Sequence, residues 1–286
     1  METQGFAEVF SLLPERENPK EASVDGVPYI LHEDHRWLLP IAHYAQQRGA
    51  LPKPCTVIMF DRHHDALDPL KRSMDDLRRL RSAPTLEGVV SLCAEERLSK
   101  IDDDWLKAGM ELGLFVDAVI FGVADRLSPD ISTVYTDHNG DRHRIEMPYT
   151  LPRSALEYTG WLGDAFRKAD LRNEVQAAWE ILGWDVSLKS LRFVPGLPKV
   201  LLTIDLDCFA IEWSDYIFPW PNKVFEREFL QIGTHDWTGQ RFFQELAKKA
   251  GLVTFARESG CCGGPEDSAS ILENLIHYGF GGGFSF

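Results

Sequence analysis

Two strings rich in aspartate and histidine stand out in this chain, Asp61-Arg62-His63-His64-Asp65 and Asp205-Leu206-Asp207. Each follows a short apolar run, TVIMF before the first and VLLTI before the second. Two further apolar runs end in the same manner. VPYIL leads into His32-Glu33-Asp34-His35, and VTFA leads into Arg257-Glu258. Carboxylates clustered without compensation repel one another, and a multivalent cation removes that cost. Side chains alternate along extended chain, so Asp61-x-His63-x-Asp65 and Asp205-x-Asp207 are each expected to present their acids and imidazole to one side. On the same alternation His64 faces away. Oxygen donors from two strands, His63 and a third-strand His35 suit a pair of divalent ions. A donor set with many carboxylates and few imidazoles favours harder ions, Mn²⁺ before Zn²⁺. A D-x-D alone more often caps a helix or meets solvent; it is the combination of motifs that points to a binuclear centre.

Such residues need a frame that gathers strand ends. The apolar runs Val27 to Leu31, Thr56 to Phe60, Ala118 to Val123, Val200 to Ile204 and Leu252 to Ala256 lack polar alternation, as buried parallel strands do. Between them, Trp37 to Gln47, Leu70 to Leu80, Leu92 to Leu112, Leu171 to Leu182, Gly239 to Ala250 and Ser268 to Tyr278 carry helical periodicity. Alternating strands and helices predict an α/β fold, a mostly parallel sheet covered by helices on both faces. In open sheets of this kind, chemistry lies beyond the carboxyl ends of the strands. Asn139-Gly140 between two alternating runs predicts a β-hairpin near residues 133–147, protruding from the core. No boundary or repeat divides the chain, so residues 1–286 are expected to form one domain.

The 286 residues carry a net charge of −14, are 44% hydrophobic and 26% charged. That balance is ordinary for a soluble globular protein. The negative field disfavours nucleic acid as a partner and favours a cationic substrate. No apolar run reaches the length of a membrane span, and METQGFAEVF shows no signal-peptide pattern. Five cysteines without a C-x-x-C spacing fit a reduced, cytoplasmic protein. Cys261 and Cys262 are expected to be structural. The C-terminal HYGFGGGFSF reads either as a loose tail or as phenylalanines docked on the body or on a neighbour.

EDHRW, FDRHHD and TIDLDCF, in this order, resemble the metal-binding signature of the ureohydrolase superfamily, the arginases, agmatinases and their relatives. With DDDWLKAGMELG between the second and third, residues 27 to 210 resemble more closely a divergent arginase-like branch. That branch includes peptide arginases, which convert arginine side chains of a ribosomally made precursor peptide to ornithine and release urea. The resemblance implies an arginase-like three-layer fold and two Mn²⁺ ions. His35 and Asp65 would bind the first ion, His63 and Asp207 the second, and Asp61 and Asp205 would bridge both. Water activated by the ion pair would be the nucleophile. Glu258 would hold the guanidinium, as a carboxylate after a late strand does in arginases. Asp104 is a second carboxylate candidate.

The chain also departs from arginases of free arginine. Those carry a loop rich in Ser, Thr, Asn and His after D-x-H-x-D, which binds the α-amino and α-carboxylate groups and supplies a proton-shuttling His. Here that stretch is ALDPLKRSMDDLRRLRS, whose hydroxyls are Ser73 and Ser82 alone. An arginine-containing peptide is therefore the expected partner. His138 and His143, on the expected hairpin, are the candidate replacements for the shuttle. The alternatives are a ureohydrolase of a small guanidino compound (free arginine or agmatine), an amide hydrolase on the same scaffold, and a non-catalytic binding protein.

Overall fold

The computed structural model describes residues 5–94, 97–99, 103–121, 134–149, 198–213, 216–230 and 238–286. The helix expected at Leu171 to Leu182 lies outside them. The described strands are β1 (Lys20–Val24), β2 (Val27–His32), β3 (Cys55–Phe60), β4 (Phe115–Phe121), β5 (Val134–Thr136), β6 (Arg142–Tyr149), β7 (Val200–Asp205), β8 (Ala210–Trp213), β9 (Tyr216–Pro219) and β10 (Ala250–Ala256). Eight of them build one sheet in the order β1-β2-β10-β7-β3-β4-β6-β5. From β2 to β6 the neighbours are parallel; the edge strands β1 and β5 are antiparallel. β8 and β9 form a separate antiparallel pair.

The strand sequences explain why helices cover both faces. Along β3, Val57 and Met59 enter one core, while Ile58 and Phe60 enter the other. β7 divides Leu201 from Leu202 and Ile204 in the same way. A strand apolar on both sides is stable only between two layers. One layer comprises α1 (Ala7–Phe10), α2 (Leu38–Gln47), α3 (Met74–Ser82), α4 (Leu86–Ala94) and α5 (Trp105–Glu111). The other comprises α6 (Asn222–Leu230), α7 (Gly239–Lys249) and α8 (Pro265–Asn274), which bring in Phe225, Phe229, Phe242, Phe243 and Ile271. The architecture is the three-layer α/β arrangement expected from the strand–helix alternation. Among the described residues, no helix is long and apolar enough to cross a membrane.

Three local differences have physical reasons. The helical pattern from Leu92 to Leu112 is interrupted: α4 is described to Ala94, residues 97–99 and 103–104 are not helical, and α5 begins at Trp105. Asp104 turns its carboxylate onto the Ser99 amide, with Oδ1 and Oδ2 accepting at 3.0 and 3.1 Å, a side chain–backbone bond that competes with helix. The Asn139-Gly140 hairpin is present as β5–β6, but it does not protrude. β6 pairs parallel with β4, Ala118 opposite Ile145, and so extends the main sheet. Lastly, the C-terminal phenylalanines dock on the body. Phe280 lies 5.9 Å from Tyr29 and 5.7 Å from Phe255, and Phe286 lies 5.7 Å from Phe255, all edge-on.

Sheet register sets the site. Ala256 of β10 stands opposite His32 of β2 on one side and Asp205 of β7 on the other. Phe60 of β3 stands opposite Ile204. The carboxyl ends of four adjacent strands are therefore level, and the residues that follow them are neighbours.

Candidate metal centre

Asp61 and Asp205 use one device twice. Each leaves its strand and accepts the amide of the residue two positions on through Oδ1: His63 N at 2.6 Å and Asp207 N at 2.9 Å. These are turns, not the extended segments expected from period-two spacing. A carboxylate that captures the i+2 amide bends the chain and brings side chain i+2 back to its own side. Oδ2 of each aspartate is left for the cluster. The Asp207 carboxylate is further fixed by Arg62 N, 3.3 Å from Oδ1.

His35 lies at the centre. Its Nδ1 is 3.2 Å from Asp61 Oδ2, 3.2 Å from Asp65 Oδ2 and 3.4 Å from Asp205 Oδ2. Its Nε2 is 2.9 Å from the Thr203 hydroxyl. Nδ1 thus faces three carboxylate oxygens, an arrangement that either a proton on the ring or a metal cation compensates. His63 Nδ1 is 2.8 Å from Asp207 Oδ2 and 3.9 Å from Asp61 Oδ1. The donor atoms fall into overlapping groups, each within 4.8 Å: His35, Asp61 and Asp65; Asp61, His63 and Asp207; His35, Asp205 and Glu258. A fourth group, Asp207, Glu258 and Cys261, adjoins them.

The electrostatics agree with the geometry. Five carboxylates meet two imidazoles, so with every carboxylate ionised three negative charges would remain even with both rings protonated. For like charges under 4.8 Å apart, each pair costs roughly 3–4 kcal/mol at a typical effective dielectric. Burial and then the Asp65 and Asp205 charges push Asp61 well above the usual carboxylate range. Burial and Asp207 push Asp205 up to about 7. Glu258 is held well above its ordinary value by burial and by Asp205, Asp65 and Asp207. Burial opposes protonation of the imidazoles, but their carboxylate neighbours win: His35 is raised well above its ordinary range, and His63 to about 11. Asp207 moves the other way; burial would raise it, and the His63 contact lowers it. Asp61 Oδ2, Asp207 Oδ2 and His35 Nδ1 are buried and, among the described residues, have no hydrogen bond beyond their contacts with one another, with His63 and, for His35, with Asp65 and Asp205. Buried polar atoms are rarely left so, and carboxylate and imidazole donors fit divalent ions. This cluster can bind metal.

Backbone strain accompanies the site. Asp65 and Glu258 have φ of +47° and +37°, a conformation that costs a non-glycine residue about 1–3 kcal/mol. Local hydrogen bonds hold both. Asp65 O accepts from Leu106 N at 3.2 Å, and Glu258 N donates to Glu33 O at 3.0 Å. Glu33 also accepts from Ser259 N at 2.9 Å and pairs with Arg257 Nε at 2.9 Å. Glu258 Oε1 accepts from His35 N at 3.3 Å. The loops after β2 and β10 are thus tied to one another beside the donors.

Of the candidates read from sequence, the structure brings together His35, Asp61, His63, Asp65, Asp205, Asp207 and Glu258. It does not bring in the other three. Asp104 spends both oxygens on Ser99 N. His138 is bound to Glu111, and His143 Nδ1 lies 2.7 Å from Val116 O, near the amino end of β4. Both histidines therefore sit at the opposite edge of the sheet. His64 also stays out, its Nδ1 accepting from Ala66 N at 3.2 Å. The adjacent cysteines divide: Cys262 is buried with Sγ donating to Arg257 O at 3.2 Å, whereas Cys261 is half-buried beside Glu258 and Asp207. Sequence reasoning missed Thr203 and Trp105. Thr203 had a signal, since it is the one hydroxyl in the apolar run VLLTI.

No protein-family model matches the chain, and no curated protein matches it.

Proposed function

We propose that this protein is a binuclear manganese hydrolase acting on arginine side chains within a ribosomally made precursor peptide. Water adds to the guanidinium carbon, the C–N bond to the side chain breaks, urea leaves and ornithine remains in the peptide. The observation that carries the reading is the doubled donor set, His35/Asp61/Asp65 and Asp61/His63/Asp207, which meets at Asp61. His35, Asp61, Asp65 and Asp205 would hold one ion; Asp61, His63, Asp205 and Asp207 would hold the other. The pair, when bound, supplies Lewis-acid activation of water at neutral pH.

Glu258 provides the anchor. A guanidinium is planar, always charged and matched to a carboxylate through two parallel N–H bonds. Glu258 belongs to the donor group of His35 and Asp205, so a guanidinium held there sits against the proposed ion site. The cation would also offset the burial and carboxylate repulsion that raise the Glu258 pKa in the free protein.

The choice of a peptide over the free amino acid rests on the segment after Asp65. Leu67 and Leu70 are exposed, Asp68 pairs with Lys107 Nζ at 2.7 Å, and Ser73 is buried with its hydroxyl on Arg97 O. These groups do not compensate an α-ammonium and an α-carboxylate, whose desolvation costs several kcal/mol. Within a peptide both are neutral amides. Metal analysis followed by urea release from free arginine and from an arginine-containing peptide tests the reading. The peptide is expected to win by at least ~100-fold in kcat/KM, about 2.7 kcal/mol. Equal rates, or preference for free arginine or agmatine, would return the protein to hydrolases of small guanidino compounds. Absence of bound divalent metal in active protein would sink the mechanism as a whole.

A further inference from the structure

The geometry points to Trp105 as a positioning residue that governs one of the two ion positions and leaves the other alone. The inference rests on the binuclear reading above and adds to it a determinant outside the ligands. Trp105 is fully buried at the start of α5. Its indole Nε1–H donates to Asp65 Oδ2 at 2.5 Å, the same oxygen that lies 3.2 Å from His35 Nδ1. Its ring packs on the His35 imidazole, centroids 4.6 Å apart and planes at 39°. Both contacts fall on the His35/Asp61/Asp65 group.

Asp65 needs such a hold. It sits in a left-handed backbone conformation, φ +47°, in a loop that leaves β3. Two backbone bonds join that loop to the start of α5: Leu106 N to Asp65 O at 3.2 Å, and Leu67 N to Asp103 O at 2.8 Å. The indole bond adds the side-chain constraint. α5 is itself seated firmly. A Cβ at Gly109 would lie 2.1 Å from the Phe115 ring, so only glycine allows this approach of helix to strand. Phe115 also meets the Trp105 ring edge-on at 6.1 Å. The helix thus fixes the tryptophan, and the tryptophan fixes the carboxylate and the face of the imidazole. Groups that orient a metal's ligands typically change metal affinity 10–100-fold when removed.

The test is Mn²⁺ titration of chelator-stripped protein, read by bound-metal stoichiometry and by electron paramagnetic resonance. Trp105→Phe removes the N–H and keeps a ring; 3-benzothienylalanine at position 105 keeps the full shape without the N–H and covers the case in which the phenylalanine variant folds poorly. Trp37→Phe is the packing control. Trp37 is equally buried, but its Nε1 has no hydrogen-bond partner among the described residues. Wild-type protein and Trp37→Phe are expected to bind two ions and give an exchange-coupled signal. The two position-105 variants are expected to bind one ion with wild-type affinity and the other about 10–100-fold more weakly. Over that Mn²⁺ range, they give the six-line signal of an isolated ion. Two ions of wild-type affinity in both position-105 variants would overturn the inference and leave the binuclear reading standing. So would an equal loss in Trp37→Phe. A wild-type protein that binds no ion pair would overturn both.

Discussion

Acid and imidazole are buried at both ends of the central sheet, with opposite outcomes. At the amino ends of β4 and β6, Glu111 is 1% exposed and receives Tyr135 Oη and His138 Nδ1. Asp137, beside it, is met by Arg81 Nη1 at 2.6 Å and by the amides of Asn139 and Asp141, both at 2.9 Å. Burial would raise Asp137, yet those amides, His143 and Arg81 bring it below the usual carboxylate range. At the carboxyl ends, Asp61 and Asp205 face Asp65, Asp207 and Glu258, and the pKa values of Asp61, Asp205 and Glu258 are raised. Burial of a carboxylate is therefore not the mark of a site in this molecule. The mark is a set of carboxylates that the protein leaves facing one another.

The largest expected effect breaks the carboxyl-end cluster. Asp205→Ala removes a donor shared by the two proposed ion positions. Metal content should fall from two ions toward none, and urea release by ~1,000-fold or more, the range seen when a catalytic group acting as part of a unit is removed. The same variant should gain thermal stability relative to stripped wild type, since one repelling charge is gone. Metal analysis and calorimetry on the same sample check both halves. Full activity in thoroughly chelated wild type would contradict the scheme from the other side.

Glu258→Gln tests the anchor without touching a proposed ion ligand. A charge-assisted hydrogen bond contributes about 1.5–3 kcal/mol, so kcat/KM should fall roughly tenfold to a hundredfold. Bound metal should stay unchanged. Wild-type kinetics in this variant would move the guanidinium to another carboxylate.

A smaller effect is expected at the opposite end. His138→Ala takes one donor from Glu111 and leaves the Tyr135 hydroxyl in place. Stability should fall by about 1–2 kcal/mol, read as a shift in the urea midpoint. kcat/KM should stay within about twofold. A large loss of activity with unchanged stability would restore His138 as a proton carrier and erase the contrast between the two ends.

How much of this was legible before folding differs by kind of signal. Strand-end motifs could be read because each donor follows directly on an apolar run, and parallel register then makes the runs' ends neighbours. The local shape was not legible in the same way. Period-two spacing suggested extended chain, whereas Asp61 and Asp205 capture the amides of His63 and Asp207 and turn it. Asn139-Gly140 marked a hairpin but could not give its place in the sheet. Because β6 runs parallel to β4, His143 near the start of β6 lands away from the strand ends that carry the donors. Trp105 stood in the DDDWLKAGMELG segment of the resemblance without a role, since nothing local announces that an indole N–H will meet an aspartate 40 residues earlier.

The smallest expected effect concerns another buried carboxylate, outside both groups, which separates the two cases further. Glu17 is fully buried, with Oε2 accepting from Glu33 N at 3.2 Å and Asp34 N at 3.0 Å. Arg16 Nε lies 3.5 Å from Oε1, on a side chain that is itself 64% exposed. Burial dominates and raises the Glu17 pKa from 4.5 to about 7, with Asp34 adding to it. The folded state therefore holds this proton more tightly than the unfolded chain. Its contribution to stability is complete below about pH 4.5 and is lost as pH rises to about 7. One such group gives at most about 1.4 kcal/mol per pH unit. Glu17→Gln keeps an oxygen for the two amides and removes the titration, so stability between these limits should become flatter. Urea denaturation of chelated protein at a series of pH values measures the slope without interference from metal binding. An identical slope in variant and wild type would mean that Glu17 is ionised throughout, compensated as Asp137 is, and that burial outside the strand-end cluster always comes with a partner.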